Sequence, residues 1–195
     1  GEEVVSPHLA IDARDVRYVV YRNLAEHRWV GLAQEHLTLA TLAPGDANFT
    51  LQTLPLGDSP DALAPPDTIL DRIISTSTLA ITARQGGGVW VAWLFLRSHS
   101  ADDGDTCEAR LRLAEVPPSA PMKVQDVARF SRAFFRECKA TDLFERKEED
   151  ARTVVFDVTR RPGETPDLVL EVGRDEERPW SGRYALAGTT WLRSD

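Results

Sequence analysis

The clearest hydrophobic pattern along the chain is a hairpin. Leu79 and Ile81 lead into Arg84-Gln85, three glycines occupy 86–88, and the run Val89 to Leu96 follows. Glycines tolerate the backbone of a tight turn between two β-rich runs. The second run is apolar at both parities, the pattern of a central strand with a dry layer on each face. It places Trp93 and Phe95 on one face and Trp90, Leu94 and Leu96 on the other. The covering layers must come from helices or from another sheet.

Alternation with a period of two marks further strands. Val16 to Tyr21 is rich in Val and Tyr. Asn23-Leu24-Ala25-Glu26 has the spacing of a helix cap, but Leu37 and Leu39 alternate with Thr38 and Ala40, so strands are expected near 28–33 and 36–42. Pro44-Gly45-Asp46 is a turn, and Phe49, Leu51 and Thr53 then form a strand that stops at Pro55. Cys107, Ala109, Leu111 and Leu113 alternate with Glu108, Arg110 and Arg112, which predicts one dry face and one wet face. Val154, Phe156 and Val158 form a strand face, residues 161–166 turn the chain, and Leu168, Leu170 and Val172 return. A last β-like run spans Tyr184 to Leu192.

Two segments read as helices. In 67–74, Asp67 can cap, and Ile69, Leu70, Ile73 and Ile74 share one face. In 122–139, Val124, Val127, Ser131, Phe134, Phe135 and Cys138 fall within one core-facing arc. The expectation is therefore an α+β fold with largely antiparallel sheets, a long covering helix at about 122–139 and a short one at about 67–74. Residues 1–15 read as an irregular lead-in and 16–195 as a single domain. The loop at 55–66, with four prolines, is the main internal break.

Composition narrows the function classes. The chain has 195 residues, 31 acidic and 23 basic, with a net charge of −8. That balance opposes general nucleic-acid binding, which must neutralise phosphates. No apolar run approaches the ~20 residues of a membrane helix. Two cysteines, Cys107 and Cys138, cannot build a disulfide scaffold, and they read as reduced thiols of an intracellular (cytoplasmic or nuclear) protein. Asn48-Phe49-Thr50 is a glycosylation sequon that matters only in a secreted chain. Lysine occurs only at 123, 139 and 147, and none follows a glycine-rich loop.

The motifs that carry chemistry are missing or incomplete. His8, His27, His36 and His99 lack the close spacing of a zinc site. Residues 86–88 lack the lysine and helix of a phosphate loop. Asp102-Asp103-Gly104-Asp105 lacks the closing glutamate of an EF-hand. There is no Gly-x-Ser-x-Gly elbow. No catalytic residue, metal ligand or cofactor is assigned. On the long helix, Arg129, Arg132, Arg136 and Lys139 would form a basic stripe suited to an acidic partner, a phosphate or an anionic surface. Trp180, in a polar loop, reads as an interface residue. The expected function is a non-catalytic protein-interaction module: an adaptor, an assembly factor or a subunit of a larger complex. The alternative is an enzyme or small-ligand binder with a cavity between helix and sheet, favoured by perturbed titratable groups in that cavity. A weaker alternative is phosphate or nucleic-acid contact through the stripe. An exposed apolar patch would favour the module.

Overall fold

The computed structural model describes residues 3–27, 32–55, 69–73, 79–99, 106–130, 152–157, 167–172, 180–187 and 190–194. Among these residues the fold is all-β. The N-terminal sheet runs β1 (Glu3–Ile11), β2 (Arg17–His27), β3 (Leu32–Leu42) and β4 (Thr50–Leu54) in sequence order. The middle sheet follows the order β5 (Ile69–Ile73), β7 (Val89–His99), β8 (Thr106–Val116) and β9 (Lys123–Phe130). In it β6 (Leu79–Ala83) also pairs with β7, sharing one long edge with β5. The C-terminal sheet runs β10 (Arg152–Asp157), β11 (Asp167–Val172), β12 (Trp180–Ala187) and β13 (Thr190–Ser194). All the pairings are antiparallel.

The middle sheet is dry on both sides, as the Val89–Leu96 run predicts. Val89, Val91, Trp93 and Phe95 pack with Tyr18, Val20, Leu37, Leu39 and Leu54 of the N-terminal sheet. Ala92 and Leu94 face the other way, packing with Phe130, Val154, Phe156, Leu168, Tyr184 and Trp191 on the C-terminal side, where Trp90 also lies. Both covering layers are sheets. No helix among the described residues is long and apolar enough to cross a membrane.

The α+β expectation is therefore overturned. Residues 123–130 of the expected long helix form β9, antiparallel to β8. Val124 packs toward the N-terminal core, whereas Val127 and Ala128 pack toward the C-terminal core. Apolar residues three apart lie on one side of a helix but on opposite sides of a strand. A strand with two dry faces thus imitates a helical stripe. The short helix expected at 67–74 is also a strand at Ile69–Ile73, on the same two-sided sheet. The rest of the expected long helix, with Cys138, lies outside the described residues.

Smaller corrections follow from the same layering. The lead-in carries β1 over Glu3–Ile11, and the final β-like run is a hairpin of two strands. The predicted wet face of β8 is covered: Arg110 and Arg112 are buried. Arg112 Nε donates to Asp126 Oδ1 at 2.8 Å, and its guanidinium lies 5.0 Å from the centre of the Phe95 ring. Arg110 pairs with the same carboxylate at 3.5 Å. Alternating arginines signal water only where no second sheet arrives to cover them.

Candidate interaction surface

One sheet face is covered less than its composition would suggest. The inward face of the N-terminal sheet carries Tyr18, Val20, Leu37, Leu39 and Leu54. Residues of the other parity form a row across all four strands, Leu9 opposite Val19, Val19 opposite Ala40, and Ala40 opposite Leu51. The next row places Ile11 opposite Arg17 and Arg17 opposite Leu42, with Phe49 just before β4. Leu9 is 61% exposed, Ile11 50%, Phe49 48% and Leu51 63%. Val19 is half-buried and Ala40 buried between them, so the exposed apolar surface gathers at the two edge strands of this face, which is more than isolated exposed residues would give. The C-terminal sheet also exposes Val155 and Leu192, and its outward row from Val155 through Val169 meets the exposed Arg183, as the Ile11 row meets the exposed Arg17.

The strand that carries Leu9 and Ile11 is fixed at its end by Asp12. This carboxylate is buried and gathers donors from two hairpins. Arg14 N, Val16 N and Gly88 N donate to it at 2.9, 3.2 and 2.8 Å. Arg14 Nη2 donates at 2.9 Å and the Tyr18 hydroxyl at 3.3 Å. Burial alone would raise the carboxyl's pKa. The hydrogen bond from Gly88, then those from Arg14 and Val16, outweigh it and hold the group well below the ordinary 3.8. Burial, followed by the Asp12 charge, pushes the Tyr18 hydroxyl upward.

These bonds give a signed expectation. Because the folded-state pKa lies below the unfolded value, the ionised carboxylate stabilises the fold fully above about pH 4 and loses that contribution as the pH falls further. Asp12→Asn keeps the size and removes the charge, at an expected cost of about 2 kcal/mol at pH 7, as for hydrogen bonds to charged groups. Urea unfolding of both proteins between pH 7 and pH ~2 reads the effect, and the gap between them should narrow only below about pH 4. A gap that stays constant throughout would show that the carboxylate's charge is not what holds the two hairpins.

The residues singled out in the sequence for partner binding fare unevenly. Arg129 lies on β9, exposed, with Nη2 donating to Asp126 Oδ2 at 3.0 Å. The helix that would align it with Arg132, Arg136 and Lys139 is missing over 123–130, and those three residues lie outside the described residues. Trp180 begins β12 opposite Val172 rather than sitting in a loop. The apolar face itself escaped the sequence reading. Its only local signal is the alternation of Phe49, Leu51 and Thr53, which ordinary binary patterning would turn inward.

Among the described residues no group of three or more His, Cys, Asp or Glu side chains is placed to hold a metal ion. No protein-family model, curated protein or solved structure matches the chain.

Proposed function

We propose that this protein is a non-catalytic interaction module that docks a protein partner on the outward face of its N-terminal sheet. The observation that carries the reading is the row Leu9–Val19–Ala40–Leu51, apolar on all four strands, more than half exposed at its two ends and buried at Ala40 between them. Burying such a row releases roughly 25 cal/mol per Å² of apolar surface, so it favours association with a complementary apolar surface. The reading places the chain in a reducing, intracellular compartment, with Cys107 and Cys138 as thiols. A cavity between helix and sheet needs a helix against the sheet. Among the described residues, sheets instead fill both sides of β7 with side chains.

Leu9→Lys combined with Ile11→Lys tests the proposal on β1. Both side chains are exposed, so stability should shift by no more than about 1 kcal/mol. A pull-down from the native source should lose the proteins retained by the unaltered chain. The same pull-down with Val155→Lys, on the other outer sheet, should retain them. An unchanged set of captured proteins with the folded β1 variant would overturn the proposal.

A further inference from the structure

We propose that two copies of this chain pair through the free edge of β4, antiparallel and around a two-fold axis, to join their N-terminal sheets into one eight-stranded sheet. This edge belongs to the same sheet as the docking face. Pairing through it needs no partner on that face.

Free strand edges expose backbone donors and acceptors and are usually protected by charge, proline or a bulge. The other edges here follow that rule. β1 contains Pro7 and shifts register between Val5 and His8. β9 carries Lys123, Asp126 and Arg129, and shifts register opposite Leu111 and Arg112. β10 begins on Arg152 and ends on Asp157, β13 carries Arg193, and β5 carries Asp71 and Arg72. β6 is uncharged but lies beside β1 and β10.

β4 has none of these devices. Its sequence is Thr-Leu-Gln-Thr-Leu, exposed at the first four positions, with an unbroken register against β3. Residues 47–57 contain no charged side chain. Among the described residues β4 pairs with β3 alone.

Charge selects the occupant. Each copy carries a net charge of −8, so two copies repel each other overall. The 47–57 segment brings no charge against no charge, and a second copy supplies the matching edge by construction. An isologous contact needs only that self-complementarity. Centring the axis on Gln52 gives every residue of β4 a partner: Gln52 faces its own copy, Leu51 faces Thr53 and Thr50 faces Leu54. Each exposed Leu51 then gains Thr53 of the other copy as a neighbour on the same face, in a row that continues through Thr38 and Tyr21. Five paired residues bury less than the standard interface of ~1,600 Å², so the dimer should be concentration-dependent.

Sedimentation equilibrium of the full chain tests this. The mass should rise from the 21.7 kDa of one chain towards twice that value as the concentration is raised from about 1 to about 200 µM, a range that spans micromolar affinity. Gln52→Lys places like charges opposite each other at the axis and should hold the protein at one chain throughout. Gln52→Glu should do the same, and an equimolar mixture of the two should recover the dimer. Circular dichroism melts matching the unaltered chain show that each variant is folded. An unaltered chain that stays at 21.7 kDa throughout, or a dimer that survives in the lysine variant, would overturn the proposal. The β1 variants that test docking leave β4 intact, so each idea can fail without the other.

Discussion

Replacing Trp93 with alanine is expected to cost about 3–5 kcal/mol, enough to unfold a marginally stable chain. Trp93 is fully buried in the middle of β7, with Leu79 opposite it on one side and Arg112 on the other. Its side chain belongs to the core shared by the N-terminal and middle sheets. An indole of ~150–250 Å² at roughly 25 cal/mol per Å² accounts for several kcal/mol of burial, and a cavity term adds to it. Trp90, on the same strand but partly exposed beside the Arg84–Glu115 ion pair, should lose clearly less on the same substitution. Urea unfolding at neutral pH gives both values. A loss below about 1 kcal/mol at Trp93 would mean that β7 is not sandwiched between sheets.

The second large effect is expected at Gly88. Its φ is +81°, in the left-handed region, where a side chain costs about 1–2 kcal/mol. A Cβ here would also overlap the Val116 carbonyl oxygen, and Pro117 and Pro118 lie close by. Backbone cannot move aside as a side-chain tip can, so overpacking of about 1–3 kcal/mol adds to the strain. The shift would also pull the Gly88 N–H away from Asp12. Gly88→Ala should therefore lose about 3–5 kcal/mol. Gly86 has a nearly identical φ of +82° but open space where its Cβ would stand. Gly86→Ala should show the backbone strain alone, about 1–2 kcal/mol. Equal losses at the two positions would rule out crowding against Val116.

Much of the strand content was legible because a strand and a turn are local patterns. The glycine hairpin at 86–88 announced β6 and β7, and the apolar density of β7 announced a layer on each side. The nature of those layers was not legible. Once both faces of a sheet are dry, alternation disappears, and Val124 with Val127 reads as a helical stripe. Arg110 and Arg112 misled in the opposite direction, since their burial depends on Asp126 and on a sheet contributed by another part of the chain. Asp12 gave no local sign of its role because one of its donors lies 76 residues away. The candidate surface was least legible of all. Phe49 and Leu51 alternate like core residues, and only their exposure in the folded chain shows that they point outward.

The order of the three sheets along the chain also sets a timetable for synthesis. The N-terminal sheet is complete at Leu54, yet Val20, Leu37 and Leu39 find their cover only when Val89 to Phe95 arrive. At roughly 5–20 residues per second, that interval of about 40 residues lasts several seconds. Throughout it the nascent sheet has apolar side chains on both faces and an unprotected β4 edge. The C-terminal sheet has no such wait, because the surface it packs against precedes it from the ribosome. The first third of the chain is therefore where chaperone contact during translation, and aggregation when translation stalls, should concentrate.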